Sequence, residues 1–377
     1  MLFQKLSGKG PASMVSPSAP LTLWAWGSNT NGPLGLGDAY SGGNDKNRSS
    51  PVQVGALATW NVVAIGGEHS LATKTDGTLW AWGRNNGGRL GLGDYNYRSS
   101  PVQVGTLATW SAVSSAATSS CAIKANGTLW SWGNNSLGYL GLRDTYRRSS
   151  PVQVGTLATW SAVAGGGAFS IALQTNHTLW TWGQGNAGKL GLGDAINRSS
   201  PVQVGTLATW SAVAGGNAEA FATKTDGTLW AWGKNYYGQL GQGDTVYRSS
   251  PVQIGTLATW SAVTGGNSFS VALKTDGTLW AWGDAASGRL GLGDTIKRSS
   301  PVQIGTLTLW NAVVTGDAHA IATKTDRTLW AWGEGTTGKL GLGSVSNKSS
   351  PVQVGTLAIW IATAKGSSAR HSLALRT

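Results

Sequence analysis

The sequence is poor in cysteine, in acidic residues and in long apolar runs. Cys121 is the single cysteine among 377 residues, so no disulfide framework can form within the chain. No apolar run approaches the roughly 18 residues that a membrane-spanning helix needs, so we expect no membrane span. The chain has 28 Lys and Arg against 16 Asp and Glu, which gives a net charge of +12. This imbalance favours acidic partners such as nucleic acid, anionic glycans or acidic proteins.

The first 20 residues differ in composition from the rest of the chain. Their mixture of Ser, Pro, Gly and Lys is typical of a linker or an arm, and they contain no apolar stretch long enough for a secretory signal. We therefore expect an N-terminal arm or linker over residues 1–20, without Sec export. Such an arm either contacts an assembly partner or is disordered.

A repeat of 50 residues fills the remainder of the chain. The motif Leu-Trp-x-Trp-Gly occurs seven times, and a third tryptophan follows in each copy, which accounts for all 21 tryptophans. Six extra residues lengthen the first copy before Arg48. A fixed period of this length indicates a solenoid, a propeller or another repeat array. The motif tryptophans that open the copies are Trp24, Trp80, Trp130, Trp180, Trp230, Trp280 and Trp330.

Each copy contains four short stretches of strand character, "TWSAV", "FSIALQT", "TLWAWG" and "PVQVG", and no helical pattern. An Asp-Gly pair between the second and third stretches predicts a tight hairpin, whereas Asn176-His177 and Asp326-Arg327 lack the glycine and predict strained or different turns. Seven such units predict an all-β, seven-bladed propeller with four-stranded antiparallel blades, forming a single domain over residues 21–377. Because the repeat region starts with a third strand and finishes with a second strand, one blade must combine the N- and C-terminal segments.

The order of the repeat motifs carries a family resemblance. "LWAWGRNNGGRLGLGD", "SPVQVG", "WSAVAGG" and "HSLATKTDG" resemble the repeat of the regulator-of-chromosome-condensation family. The resemblance covers residues 21–377 and implies a seven-bladed propeller that serves as a binding surface. The family includes a nucleotide exchange factor for a nuclear small GTPase, a plant ultraviolet-B photoreceptor and bacterial β-lactamase inhibitors. The resemblance therefore implies the fold and leaves the ligand open.

Differences between the repeats predict which face binds a partner. In an up-and-down blade, the loop between strands one and two and the loop between strands three and four share one face. The repeats differ at both loops and agree at the opposite turns, so we expect the varied face to recognise a partner. Tyr and Arg often dominate binding energy at protein interfaces. The candidate partner-binding residues are His69, Arg84, Arg89, Tyr95, Tyr97, Tyr139, Tyr146, Phe169, Lys234, Tyr236, Tyr237, Tyr247, Phe269, Arg289, His319 and His371.

Three recurring residue sets could suggest chemistry, and each has a simpler structural explanation. The tryptophans occupy framework positions in every copy, which favours packing over light sensing. In most copies an Asp precedes an Arg by four residues, which favours an ion pair that holds a loop. His69, His319 and His371 share one loop position in adjacent blades, yet a spacing of about 10 Å would strain a metal shell of about 2 Å bonds. We therefore expect no metal, no cofactor and no enzymatic activity.

The sequence thus predicts a non-catalytic recognition or assembly module that binds a protein or an anionic glycan through its varied face. The uniform repeats and the short arm resemble structural proteins of phage or bacterial assemblies, so a virion or a cell-surface assembly is the favoured location. The alternative is a chromatin- or nucleic-acid-associated regulator with guanine-nucleotide exchange activity, which the net charge and the family favour. The excess at Ser41–Lys46 is too short to assume the role of the wedge through which the family's exchange factor acts.

Overall fold

The computed structural model describes residues 20–38, 46–56, 58–364 and 366–377, and these residues form seven four-stranded antiparallel sheets. The predicted seven-bladed propeller is confirmed. Helical structure within the described ranges is limited to short turns such as Asn86–Gly88, and no helix there is long and apolar enough to cross a membrane. The predicted arm at 1–20 and the excess at Ser41–Lys46 lie outside the described residues, apart from residues 20 and 46.

The strands are short and follow one another in a constant pattern. In chain order the strands are β1 (Thr22–Gly27), β2 (Arg48–Gln53), β3 (Trp60–Ile65), β4 (His69–Lys74), β5 (Leu79–Gly83), β6 (Arg98–Gln103), β7 (Trp110–Ser115), β8 (Ser119–Lys124), β9 (Leu129–Gly133), β10 (Arg148–Gln153), β11 (Trp160–Gly165), β12 (Phe169–Gln174), β13 (Leu179–Gly183), β14 (Arg198–Gln203), β15 (Trp210–Gly215), β16 (Glu219–Lys224), β17 (Leu229–Gly233), β18 (Arg248–Gln253), β19 (Trp260–Gly265), β20 (Phe269–Lys274), β21 (Leu279–Gly283), β22 (Arg298–Gln303), β23 (Trp310–Thr315), β24 (His319–Lys324), β25 (Thr328–Gly333), β26 (Lys348–Ala358), β27 (Trp360–Thr363) and β28 (His371–Arg376). Blade 2 contains β3–β6, blade 3 β7–β10, blade 4 β11–β14, blade 5 β15–β18, blade 6 β19–β22 and blade 7 β23–β26, while blade 1 contains β27, β28, β1 and β2.

Blade 1 joins the two ends of the repeat region, as the sequence predicted. Its strand order is β27, β28, β1 and β2, and β1 pairs antiparallel with β28 along their full length, from Thr22 opposite Arg376 to Gly27 opposite His371. Backbone hydrogen bonds between the two chain segments therefore close the ring, since no covalent link does so at this point. The pairing covers the edges that β1 and β28 would otherwise expose to solvent.

The loops divide between two faces of the ring. In blade 2 the backbone N–H of Arg84, after the third strand, donates to the carbonyl oxygen of Glu68, before the second strand, at 2.8 Å. At the other end of the repeat, the N–H of Trp110 donates to the carbonyl oxygen of Gly77 at 3.0 Å. We call the face with loops 66–68 and 84–97 and their equivalents the varied face. The face with the turn at 75–78, the crossing at 104–109 and their equivalents is the uniform face.

A buried tryptophan ties every blade to the preceding one. Nε1 of Trp132 in blade 3 donates to the carbonyl oxygen of Arg89 in blade 2 at 2.9 Å. Gly91, two residues after that carbonyl, has a positive φ of 74°, and a Cβ there would lie 2.8 Å from Nε1 of Trp132. The first glycine of the Leu-Gly-Leu-Gly motif thus leaves room for the indole. The same bond joins Trp26 to Lys339, Trp82 to Pro33, Trp182 to Tyr139, Trp232 to Lys189, Trp282 to Gln239 and Trp332 to Arg289.

The other two tryptophans of each repeat pack within their blade. In blade 2 the ring of Trp60 lies edge-on to Trp80 and to Trp82, with centroids 6.1 and 6.0 Å apart. Nζ of Lys74 lies 3.6 Å from the centroid of Trp80, which places a cation over the aromatic face. These contacts confirm that the tryptophans serve packing.

Two turns on the uniform face keep a left-handed conformation without glycine. Gly77 in the ordinary Asp-Gly turn has a φ of +81°, while His177 and Arg327 at the equivalent positions have φ values of +65° and +67°. Of the two predicted alternatives, a strained turn or a turn of another type, the strained turn is the one found, because residues with a Cβ adopt this region at a cost of about 1–2 kcal/mol each.

Deleting His371–Thr377 should destroy cooperative folding instead of removing one strand. β28 pairs with both β27 and β1, so its loss opens the ring and exposes the core around Leu373 and Leu375. We expect the thermal transition seen by circular dichroism to broaden or disappear.

Deleting Thr377 alone is the matched control, because this residue is exposed and follows β28. It should leave a single sharp transition. A truncated protein with the wild-type transition would contradict the closure of the ring by β28.

Candidate functional site

An Asp–Arg pair fixes the rim of the varied face in each of six blades. In blade 3 the Arg148 Nη2 group donates to Oδ2 of Asp144 at 2.5 Å, while Oδ1 of Asp144 accepts the backbone N–H of Tyr146 at 2.9 Å. The carboxylate of Asp144 thus joins the start of the fourth strand to the loop before it. The expectation that the recurring Asp and Arg form an ion pair that holds this loop is confirmed. The remaining pairs are Asp38–Arg48, Asp94–Arg98, Asp194–Arg198, Asp244–Arg248 and Asp294–Arg298.

Ten of the predicted partner-binding residues reach solvent on the varied face. The five most accessible are tyrosines, whose exposed fractions run from 41% to 73%. A further five are half-buried, and we retain all ten as candidates. The exposed tyrosines are Tyr95, Tyr97, Tyr146, Tyr236 and Tyr247, and the half-buried residues are Arg84, Tyr139, Lys234, Tyr237 and Arg289.

Six other predicted residues do not present their side chains on the surface. His69, Phe169, Phe269, His319 and His371 are each exposed by at most 1%, and Arg89 by 6%. The first five open the second strands of their blades, and their side chains turn inward under the preceding loop. A Cβ on Gly66, for example, would lie 2.1 Å from Cε1 of His69. Guanidinium nitrogens of Arg89 donate to the carbonyl oxygens of Asn86 and Ala117. The expectation that these six line the binding surface is wrong.

The three histidines link neighbouring blades. Nε2 of His69 lies 3.0 Å from Oγ of Ser120, whose hydroxyl donates to the carbonyl oxygen of Arg89 at 2.8 Å. Because that hydroxyl proton is engaged, His69 donates through Nε2. Burial holds the pKa of His69 well below its usual value, helped by the nearby cation of Arg89. The equivalent contacts join His371 to Ser70 and His319 to Ser372.

No group of three metal-binding side chains occurs among the described residues. Nε2 of each of the three histidines instead faces a serine hydroxyl of the adjacent blade. The shared loop position of the histidines thus reflects an inter-blade contact in the interior of the ring.

Glu219 stands out in the series of residues that open the second strands. Its side chain is fully buried, Oε2 accepts the backbone N–H of Ala218 at 3.1 Å, and Oε1 has no hydrogen-bond partner. Burial raises the pKa of Glu219 to about 8, against the opposing pull of Lys234 and Lys189. Burial likewise lowers the pKa of Lys189 to about 8, although the carboxylate of Glu219 opposes this shift. A titratable pair therefore lies beneath the varied face between blades 4 and 5.

The structure also shows exposed apolar residues that the sequence reading missed. Ile196, Val246 and Ile296 are 62%, 59% and 63% exposed, at the position that Tyr146 occupies in blade 3. Each follows a rim Asp by two residues, and its backbone N–H bonds to that carboxylate. We call Tyr146, Ile196, Val246 and Ile296 the apolar arc. All four residues lie two positions after a rim Asp, and this constant spacing in the sequence could have revealed the apolar arc.

An aromatic cluster lies beside the apolar arc at blades 5 and 6. The rings of Tyr236 and Tyr237 pack edge-on with centroids 4.8 Å apart. Nζ of Lys297, from the next blade, lies 4.4 Å from the centroid of Tyr237. Tyr236 is 61% exposed, so the cluster offers an aromatic ring next to a cation on the same face.

Comparison with known proteins agrees with this geometry. The RCC1-like domain model matches residues 22–374. Prp20p from Saccharomyces cerevisiae superposes with a TM-score of 0.82 at 21% identity, over 96% of this chain and 92% of that chain. HERC3 from Homo sapiens, "Probable E3 ubiquitin-protein ligase HERC3", is 39% identical over 74 residues, which are 19% of this chain and 7% of HERC3. The ultraviolet-B receptor UVR8 from Arabidopsis thaliana is 41% identical over 70 residues, which are 19% of this chain and 15% of UVR8.

The chain belongs to the RCC1-like domain family, because the family model covers nearly all of it. The predicted resemblance is therefore confirmed. The chain matches only a small part of the length of HERC3 and of UVR8. Membership in the family implies the propeller fold, while the activities of those longer relatives do not follow from it.

Replacing Glu219 by Gln should change how stability depends on pH. Between its ordinary pKa of 4.5 and about 8, Glu219 is protonated in the folded chain and ionised in the unfolded chain. The folded state then binds the extra proton, so the free energy of unfolding falls by up to about 1.4 kcal/mol per pH unit as pH rises through this window. Glu219→Gln should remove this fall and exceed the wild type in stability at pH 8, as measured by urea unfolding from pH 5 to 8.

Glu68→Gln is the control, since Glu68 is half-buried and paired with Arg84 at the surface. This variant should retain the wild-type slope. A Glu219→Gln protein with an unchanged slope would show that Glu219 is not the buried acid responsible.

Proposed function

We propose that this member of the RCC1-like family is a protein-binding module that docks its partner on the apolar arc of the varied face. The single observation that carries the proposal is the exposure of a large apolar side chain at one equivalent position in four consecutive blades. Tyr146, Ile196, Val246 and Ile296 are each at least 59% exposed. At the same position in two other blades the chain has Asn96 and Ser346, which are polar.

The apolar arc is preorganised. Each of its residues donates its backbone N–H to a rim carboxylate at 2.9–3.0 Å, and an Arg four residues after that Asp holds the same carboxylate. A fixed loop loses little conformational freedom when a partner binds, so the exposed side chains act as rigid anchors. Leucines such as Leu157 and Leu207 are exposed on the uniform face as well, but they recur in the same way around the ring. The apolar arc is confined to four blades and is held by the rim pairs, which favours it as the docking surface.

The chemistry of the apolar arc favours a protein over a nucleic acid or a glycan. Ile196, Val246 and Ile296 have no side-chain hydrogen-bonding group, so they cannot recognise phosphates or sugar hydroxyls. Because the arc extends over four blades, a small molecule could contact only part of it. Aliphatic and aromatic side chains of a protein partner match it.

Cations beside the apolar arc indicate acidic groups on that partner. Arg147 and Lys297 directly follow Tyr146 and Ile296, and both are exposed. Neither they nor Lys234 has a carboxylate within 4 Å among the described residues. A partner surface with an apolar centre and acidic flanks is therefore complementary.

The comparison with yeast Prp20p supports a protein as the partner type. That protein is described by its binding to Gsp1p and to histones, and at 21% identity the likeness to this chain extends to the fold alone. The exchange regulator predicted as the alternative remains a second hypothesis. A phage or bacterial assembly has no support among the relatives and stays a prediction from sequence.

Photo-crosslinking should locate the partner on the apolar arc. A benzoylphenylalanine placed at Ile196, Val246 or Ile296 should capture the same partner from native lysate. Probes at Leu157 or Leu207, which are comparably exposed on the uniform face, should not. Equal capture of that partner from both faces would contradict the proposal.

Asp substitutions then test the energetics with the captured partner. Ile196→Asp and Ile296→Asp should each weaken binding about tenfold or more, because an acid replaces an apolar anchor and repels an acidic partner. Ser346→Asp, at the equivalent position outside the apolar arc, should leave affinity and thermal stability unchanged. Binding that falls by several orders of magnitude between 50 and 200 mM salt, and that resists the arc substitutions, would instead favour the nucleic-acid alternative.

A further inference from the structure

A groove lies between blade 7 and blade 1, where the two ends of the repeat region meet. It encloses about 540 Å³ and runs along β26 on one side and against Trp24 and Trp360 of blade 1 on the other. This volume is within the range of small-molecule sites. The site is separate from the apolar arc, which occupies blades 3 to 6.

The pattern of charge in this groove departs from that of the other repeats. Six blades carry the rim pair of Asp and Arg, whereas blade 7 has Ser344 and Lys348 at these positions. Ser344 and Lys348 both line the groove. Because Ser344 replaces the Asp of the other repeats, Lys348 has no acidic partner among the described residues.

A second cation lines the same groove. Arg376 occupies the position at which five other blades have a Lys over their tryptophans, and its Cζ lies 3.3 Å from the centroid of Trp24. The flat guanidinium stacks on the indole and makes no side-chain hydrogen bond to the described residues. Its in-plane N–H groups are therefore available to a carboxylate or a phosphate. No Asp or Glu lines the groove.

The groove between blades 1 and 2 provides an internal comparison. It encloses about 310 Å³ and has Lys74 over Trp60 and Trp80. Its rim cation, Arg48, is paired with Asp38 and does not line the groove. In this groove the ordinary repeat pattern accompanies a smaller volume and a paired rim cation, whereas in the groove between blades 7 and 1 Lys348 adds a second cation without an acidic partner among the described residues.

We propose that the groove between blades 7 and 1 binds a small organic anion with a flat apolar body. The aromatic walls, Trp24 and Trp360, contact the body, while Arg376 and Lys348 supply the positive charge that attracts the carboxylate or phosphate. Leu357 and Val352 extend the apolar surface along β26.

Isothermal titration calorimetry with three matched probes tests this site in the full chain. 2-Naphthoate and 2-naphthyl phosphate carry the two candidate anions, and 2-naphthamide is a neutral analogue with the same body. At least one anion should bind about tenfold or more tightly than the amide. Tighter binding of the carboxylate or of the phosphate identifies the class of natural ligand, and either result supports the site.

Variants that restore the residues of the other repeats test whether the anion binds in the groove between blades 7 and 1. Ser344→Asp with Lys348→Arg rebuilds the rim pair that six other blades already contain, so folding should be unaffected. We expect this double variant to lose the preference for the anion.

Arg376→Lys, which installs the residue of five other blades, should weaken anion binding about threefold to tenfold, because a point charge replaces a bidentate donor. Lys74→Gln, in the groove between blades 1 and 2, should have no effect.

Three results would overturn the proposal: no measurable binding of any probe, equal affinity for the anions and the amide, or anion binding that the double variant leaves unchanged. Because the apolar arc is untouched by these variants, binding of the protein partner should remain at the wild-type level in all of them. The two proposals can therefore fail independently.

Discussion

The hydrogen bond from a buried indole to a backbone carbonyl of the preceding blade is the interaction on which the rest of the structure depends. It occurs in all seven blades, with Nε1 to oxygen distances of 2.8–3.1 Å. The accepting residue lies under the varied face, and in six blades its side chain is Arg, Tyr, Lys or Gln. Since the bond uses only the backbone, the side chain can change without loss of the contact between blades. This separation allows one scaffold to carry different loops.

Variation between the repeats has two physical origins that sequence alone does not distinguish. At the rim, Tyr146 and Ile196 point to solvent, so their variation alters a surface. At the start of the second strands, Phe169, Glu219 and His319 fill the interior, so their variation reflects packing between blades. Glu219 is the extreme case, because a buried carboxylate without full hydrogen bonding lowers stability once it ionises. Only the rim variation can contribute directly to recognition.

The sequence was sufficient for the fold because its motifs recur with a constant period. Seven copies, four strands per copy and the interrupted repeat at the termini predicted the propeller and its shared blade.

The candidate site was predicted only in part. His69 and its equivalents were placed in a loop because the first residue of a strand and the last residue of a loop look alike in sequence. Ile196, Val246 and Ile296 were missed because the candidates were chosen for aromatic or charged side chains, and the exposure of these aliphatic residues depends on the Asp-bonded turn. Ser344 and Lys348 were visible as departures from the repeat, but their proximity to Arg376 required the contact between blades 7 and 1.

The most direct test of the inter-blade bond compares Trp232→Phe with Trp82→Phe by urea unfolding. The carbonyl of Pro33 accepts from both Trp82 and Ser70, at 2.9 and 2.8 Å, whereas the carbonyl of Lys189 accepts from Trp232 alone, because Ala220 replaces the serine. Both substitutions remove similar volume, but only Trp232→Phe leaves a buried carbonyl without a donor. We predict that Trp232→Phe lowers the free energy of unfolding by about 1–3 kcal/mol more than Trp82→Phe does. Equal losses in the two variants would contradict it and would assign the role of these tryptophans to packing alone.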